Sequence, residues 1–243
     1  MDIELKQSKK GKLLVGKHKH AEVQACALEH NRAKKHILNE GEKIPALIDI
    51  GVMTKEGKII HAQADKFRQI NKFLEIIDDT LKTWKRKDIK IIDFGCGKSY
   101  LTFAVHYFLT EIKHIECSIE GLDLKQEVID YCNDMAEKLK LEGLIFHTGN
   151  IADYSGKENP DIVITLHACD TATDFALYNA ICWNTPRIFS VPCCQHELNH
   201  QITKNTMGSL TEYGLIKERT AALLTDAMRA DILQWQGYNR LLD

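Results

Sequence analysis

The chain has 243 residues, 44% hydrophobic and 27% charged, with a formal net charge of −2. That composition fits one sizeable hydrophobic core, or one core plus a small appendage, of ordinary soluble character. No run of about 18 apolar residues exists, which excludes a transmembrane helix. The Lys-rich start holds no apolar stretch long enough for a signal peptide, so a cytoplasmic chain with no membrane partner is expected.

The eight Cys lie in segments that read as strands and helices, and are expected as reduced thiols instead of a disulfide framework. The charge is uneven. Residues 1–90 carry 20 Lys+Arg against 13 Asp+Glu, a net +7, and residues 91–243 carry 12 against 21, a net −9. A basic half of this kind is either an electrostatic footprint for nucleic acid or a solvated Lys-rich surface.

In chain order, residues 1–20 are polar and basic, with six Lys from Lys6 to Lys19. They predict a mobile arm or a poorly packed edge strand around Lys12 to Val15. A helix is expected over 22–39, ended by Gly41, then a short apolar segment over 45–53 and a turn at Lys55-Glu56-Gly57-Lys58. Phe67, Ile70, Phe73, Leu74, Ile77 and Leu81 recur at helical spacing and predict a helix over 65–81.

From Ile89 the pattern alternates. Strands are expected over 89–94, 118–124, 144–148, 161–167 and 187–192. Helices are expected over 101–109, 126–141, 171–183 and 221–236, with Thr171 and Asp174 spaced as a capping box. Such alternation with right-handed crossovers gives an α/β fold: a Rossmann-like, doubly wound, mainly parallel sheet with helices on both faces. Residues 1–88 form a basic N-terminal arm and helical region, and 89–243 a ligand-binding domain. After the last helix, residues 237–243 leave room for one short strand, so the C-terminal strands are expected to be incomplete.

The most informative segment is Asp93-Phe94-Gly95-Cys96-Gly97-Lys98-Ser99, between a buried strand and a helix. Glycines there let the backbone approach a ligand, and the helix N-terminus presents free N–H groups. A phosphate-binding Walker loop needs Gly five residues before Gly97, where Ile92 stands. A dinucleotide fingerprint needs a third Gly where Tyr100 stands. The Asp-x-Gly-x-Gly turn resembles that of class I methyltransferases, whose ligand presents an aminoacyl group there.

Asp123 ends the second strand, where a carboxylate can accept two ribose hydroxyls; the alternative is that it only caps the following helix. Asn150 lies where this fold reads the adenine amino group, with Asp153 as a second candidate. The expected cofactor-binding set is Asp93, Gly95, Gly97, Lys98, Asp123, Leu124, Asn150, Ile151 and His167.

The fourth strand ends in His167-Ala168-Cys169-Asp170 and the fifth in Val191-Pro192-Cys193-Cys194-Gln195-His196-Glu197. Ligands of parallel sheets bind beyond the carboxyl ends of the strands, so these clusters are expected to converge there. The His-Ala-Cys-Asp-Thr-Ala-Thr-Asp and Val-Pro-Cys-Cys-Gln-His-Glu-Leu runs resemble one bacterial branch of class I methyltransferases, related to the eukaryotic tRNA ribose 2′-O-methyltransferase. Asp65-Lys66-Phe67-Arg68-Gln69-Ile70-Asn71 and Thr225-Asp226-Ala227-Met228-Arg229-Ala230 resemble the same branch, and the likeness runs from about residue 30 onward. It implies S-adenosylmethionine as cofactor and RNA as acceptor.

The catalytic set is then His167, Asp170, Cys193, Cys194 and His196. His167 or His196 would serve as general base. Other readings stay open: a Cys nucleophile, a zinc site of Cys193, Cys194, His196 and His200, or thiols that simply pack. Adjacent Cys chelate awkwardly, so no metal is expected. An acceptor that is a small molecule or a protein stays open too, as does an inactive cofactor-binding scaffold.

Overall fold

The computed structural model describes residues 2–7, 11–18, 36–154, 159–166, 168–203 and 207–239. It divides into two compact units, Met1–Lys35 and His36–Asp243. In the first unit, β1 (Asp2–Gln7) and β2 (Leu13–His18) pair antiparallel, with Gln7 opposite Leu13. The strand expected around Lys12 to Val15 is β2, and it pairs with β1 in a hairpin in place of the mobile arm that was the alternative. Of the helix expected over 22–39, residues 22–35 lie outside the described residues, and 36–39 are not helical.

The second unit opens with Leu38, fully buried, whose N–H donates to Asn71 Oδ1 at 2.8 Å. The Asn71 amide in turn donates to the Phe67 carbonyl at 3.2 Å, so this fully buried polar side chain has partners on both sides. Helix α1 (Pro45–Asp49) starts on a proline, whose missing N–H costs nothing in a first turn. Helix α2 (Ala64–Thr83) buries Phe67, Ile70, Phe73, Leu74 and Ile77 along one face, the stripe its spacing predicts.

The sheet has five strands among the described residues: β3 (Asp88–Phe94), β4 (Glu116–Asp123), β5 (Leu144–Thr148), β6 (Ile162–Thr165) and β7 (Arg187–Ser190). Their spatial order is β5-β4-β3-β6-β7 and every neighbouring pair is parallel. This is a Rossmann-like fold, and the strand order reverses between β3 and β6. That reversal opens a crevice beyond the carboxyl ends of the strands.

Alternate residues of β3 serve opposite faces. Ile89 and Ile91 join α2 and the Phe103 and Val105 side of α3 (Tyr100–Tyr107). Ile92 and Phe94 join Val163, Ala176 and Ala180, the last two from α5 (Thr171–Cys182). Burial of each such large apolar side chain contributes roughly 1.5–3 kcal/mol. Leu38, Ile44, Leu47, Val52 and Met53 share one hydrophobic cluster with Ile89 and Ile91. The units therefore divide at 35/36, whereas the sequence pattern changes at 88/89.

Helix α4 (Gln126–Lys138) follows β4, and α6 (His196–Gln201), α7 (Ser209–Glu212) and α8 (Gly214–Trp235) follow β7. The capping box expected at Thr171 and Asp174 does not form. Asp170 is the N-cap and makes no side-chain cap bond. Thr173 donates to the Ala168 carbonyl, and the Asp174 carboxylate is held instead by Arg229 of α8 at 2.7 and 3.0 Å. A full charge brought 55 residues along the chain outcompetes the local backbone N–H that a capping box would offer Asp174. Residues 237–239, after α8, are not strand. No helix among the described residues is long and apolar enough to cross a membrane.

Candidate active site

Two glycines with positive φ, Gly95 (72°) and Gly97 (53°), turn the chain out of β3, a conformation that favours residues without Cβ. The N–H groups of Gly95 and Cys96 donate to the Leu122 carbonyl at 2.8 and 3.1 Å. The Gly97 N–H donates to Asp123 Oδ2 and the Lys125 N–H to Asp123 Oδ1, both at 3.0 Å. Asp123 thus ties the N-cap residue of α4, Lys125, to the glycine turn. A carboxylate offers about four acceptor positions, so two remain for a ligand.

Two side chains lock this turn from beneath. A Cβ at Gly121 would lie 2.3 Å from the Phe146 ring and 3.2 Å from Cys96 Sγ, so the absent side chain lets Cys96 tuck under the turn. Asp93 is buried and accepts a hydrogen bond from Thr102. Burial pushes its carboxyl up to about 7, with the nearby Asp123 charge adding to the shift.

Beside Asp123, a cavity of about 300 Å³ opens between the ends of β4 and β5, lined by Leu122, His147, Thr148, Gly149, Asn150, Asp153 and Tyr154. Asn150 Oδ1 accepts the Ala152 N–H at 3.1 Å. The Tyr154 hydroxyl donates to Glu120, and its ring meets Phe94 and Trp183 edge-on at 5.7 and 5.8 Å. Of the expected cofactor set, Asn150 lines this cavity and Asp123 adjoins it through Leu122. Leu124 is 71% exposed, Lys98 is exposed, and Ile151 is buried under α5. Tyr154, His147 and Thr148 were not singled out from sequence. The signal for them was position alone, at and just after the end of β5.

The second cluster lies where β6 and β7 end side by side. Their pairing closes at Thr165 opposite Ser190. Beyond it, the Asp170 N–H donates to the Cys194 carbonyl at 3.0 Å. Asp170 Oδ1 accepts the N–H groups of His196 and Glu197 at 3.0 and 3.1 Å. The two post-strand loops are thereby joined.

Helix α8 clamps them. Arg229, 7% exposed, donates to the Asp170 carbonyl at 2.8 Å and to Asp174, while Asp226 accepts from Gln195 at 3.0 and 3.1 Å. Asp170 has φ 55° and ψ −127°, a backbone position that costs on the order of 1–3 kcal/mol and persists only where surroundings impose it.

Inside this frame, Cys169 Sγ lies 3.1 Å from Cys193 Sγ, and Cys193 Sγ lies 3.6 Å from Cys194 Sγ. The hydrogen bond to Cys193, then burial, pushes the Cys169 thiol up to about 12, and Cys194 is raised through Cys193 as well. Thiols held protonated are poor nucleophiles at neutral pH. His196 is exposed at the start of α6. His167 lies outside the described residues. Cys96, Cys117, Cys132, Cys182, Cys193 and Cys194 carry free thiols.

The family model for "Methyltransferase domain" matches residues 65–201, more than half of the chain, from α2 through α6. The chain belongs to this methyltransferase family. Solved structures similar in part include the SAM-dependent methyltransferase of Thiobacillus denitrificans in complex with S-adenosyl-L-homocysteine (21% identity, TM-score 0.30, covering 39% of this chain and 36% of that one). The corresponding enzyme of Geobacter sulfurreducens, also with S-adenosyl-L-homocysteine, has 16% identity, TM-score 0.30 and coverage of 39% and 35%. Coclaurine N-methyltransferase with N-methylheliamine and SAH has 13% identity, TM-score 0.38 and coverage of 54% and 34%. Each match thus spans about a third of the relative's length. No curated protein matches the chain.

Proposed function

We propose that this chain methylates RNA, at a ribose hydroxyl of tRNA, with S-adenosylmethionine as methyl donor. The observation that carries the cofactor reading is Asp123, which holds the Gly97 N–H at 3.0 Å and keeps two acceptor positions beside a cavity of about 300 Å³. Those residues fit the cofactor. Asp123 would take the ribose hydroxyls, the cavity with Asn150 and Tyr154 the adenine, and the Gly95–Gly97 turn the aminoacyl end. When bound, S-adenosylmethionine supplies an electrophilic methyl group on a sulfonium.

The rest falls to the chain's own groups. His167, two residues past the end of β6 in sequence, is assigned as the base that takes the acceptor hydroxyl proton, with His196 the alternative. Asp170 positions the loop that carries His196 through its two accepted N–H bonds. Cys193 and Cys194 line the acceptor side. The RNA reading is supported by the +7 net charge of residues 1–90, which suits a polyanion, and by the resemblance of the His167–Asp174 and Val191–Leu198 runs.

Transfer of tritium from methyl-labelled S-adenosylmethionine tests the whole reading. Label is expected in total tRNA and to fall sharply with His167→Ala. Label appearing only in a metabolite or protein fraction overturns the RNA acceptor. Absence of cofactor binding overturns the enzyme reading.

A further inference from the structure

We propose that Cys169, Cys193 and Cys194 form a zinc site at the carboxyl edge of β6 and β7. The cavity beside Asp123, the apolar side chains along α8 and this thiol cluster are the three features that stand out on the molecule. The cavity belongs to the cofactor reading, and nothing shows what covers α8. The thiols are different, because three soft ligand atoms from two separate loops meet at one point.

The geometry is specific. The three Sγ atoms all lie within 4.8 Å of one another, with Cys169 3.1 Å from Cys193 and Cys193 3.6 Å from Cys194. Zinc binds thiolate sulfur at about 2.3 Å, so the edge of a tetrahedral sulfur set is about 3.8 Å. The cluster is already close to three corners of that tetrahedron. Adjacent cysteines chelate awkwardly when their side chains diverge; here both sulfurs of the pair approach the same third sulfur. Neither His196 nor His200 joins the group among the described residues. The ligand set is therefore the Cys193–Cys194 pair plus Cys169.

The loops that present these thiols are held before any ion arrives. The Asp170 N–H to Cys194 carbonyl bond joins them at 3.0 Å. Arg229 holds the Asp170 carbonyl, and Asp226 holds Gln195. Such support orients ligands and strengthens metal affinity. Cys169 and Cys193 are exposed and Cys194 is half-buried, so the ion has a path in. Three thiolates, with the protons released to solvent, neutralise Zn²⁺ to a net −1. They favour a thiophilic ion over magnesium or calcium. One corner remains for water or an acceptor atom. The site shares Cys193 and Cys194 with the acceptor side of the methyl-transfer reading, but its readout is metal content, which does not depend on methyl transfer.

The test uses the full chain, purified without a polyhistidine tag or chelator. Elemental analysis is expected to give one zinc per chain. Cobalt(II) added to the metal-free protein is expected to give the thiolate-to-cobalt charge-transfer absorption. Cys169→Ser, Cys193→Ser and Cys194→Ser should each weaken zinc binding by roughly 10- to 100-fold or more. Cys182→Ser, on α5 outside the cluster, should leave it unchanged. Circular dichroism and S-adenosylmethionine titration on every variant separate loss of the site from loss of the fold. Metal-free protein that takes up neither zinc nor cobalt while binding S-adenosylmethionine overturns the proposal. So does zinc retained at wild-type affinity by all three cluster variants.

Discussion

Asp123 and Asp93 sit 30 residues apart in sequence and on either side of the same glycine turn, yet their environments differ. Asp123 is part-exposed, with two backbone donors. Asp123→Ala removes an acceptor for a vicinal diol and is expected to weaken S-adenosylmethionine binding by about 1–3 kcal/mol, the scale of charge-assisted hydrogen bonds. Isothermal titration reads this directly, and NAD should show no binding in the same cell.

Asp93, pushed up to about 7 by burial, retains its proton in the folded chain at pH values where the unfolded chain has lost it. The stability that proton contributes is complete below about pH 4 and is lost as pH rises through about 7. Asp93→Asn keeps an acceptor for Thr102 and has nothing to ionise. Melting temperatures of the two proteins are expected to run together near pH 4, with the wild type falling progressively below the variant by pH 8. Parallel curves would show that Asp93 ionises freely.

At the scale of elements, the sheet rests on close approaches that tolerate little. Gly143 has φ 79°, and a Cβ there would lie 2.3 Å from the Cys117 carbonyl oxygen. Both strain and clash fall on backbone, whereas at Gly121 the obstacle is mainly the Phe146 ring, which can turn. Gly143→Ala is expected to cost more than Gly121→Ala, with the latter near 1–3 kcal/mol, in urea unfolding. In α8, Arg229→Ala removes a buried guanidinium from Asp174, Asp226 and the Asp170 carbonyl. With both carboxylates part-exposed, the loss is expected at about 2–3 kcal/mol. Arg229→Lys should restore little of it, because a lysine cannot form the two-pronged contact.

The same elements show what was legible beforehand. β3, β5 and α2 could be read because their apolar residues recur with the period of the element itself. The glycine turn and Asp123 could be read because their spacing is local. The missing capping box could not, since Asp174 answers to a partner 55 residues away. The convergence of Cys169 with Cys193 and Cys194 could be read through topology, because β6 and β7 were expected side by side at one sheet edge. The hairpin of β1 and β2 was obscured by the Lys9, Lys10 and Lys12 run between the strands, which made the whole segment read as a basic arm although Asp2-Ile3-Glu4-Leu5-Lys6 alternates.

For the whole molecule, the division of charge is the property most open to measurement. If residues 1–90 dock RNA, affinity must fall steeply with salt, because each neutralised phosphate releases counterions, with a slope of roughly 0.7–0.9 per contact. Deleting residues 1–20, which carry six Lys, is expected to flatten that slope while S-adenosylmethionine still binds. Filter binding of tRNA at two salt concentrations decides it. No retention at low salt would leave the basic half as a solvated surface.

The clamp of α8 has a consequence for how the protein is made. Arg229 holds the carbonyl of Asp170, 59 residues earlier, and Asp226 reaches back 31 residues to Gln195. Synthesis runs from the N-terminus, so all five strands of the sheet emerge from the ribosome before either clamp residue does. During that interval the nascent chain carries a finished scaffold with its two post-strand loops untied, and the thiols they bear lack the frame that brings them together. Closure of the mouth therefore follows completion of the sheet. Ribosome-stalled chains ending before residue 226 should join Cys169 to Cys193 through a short bis-thiol crosslinker far less readily than the released protein.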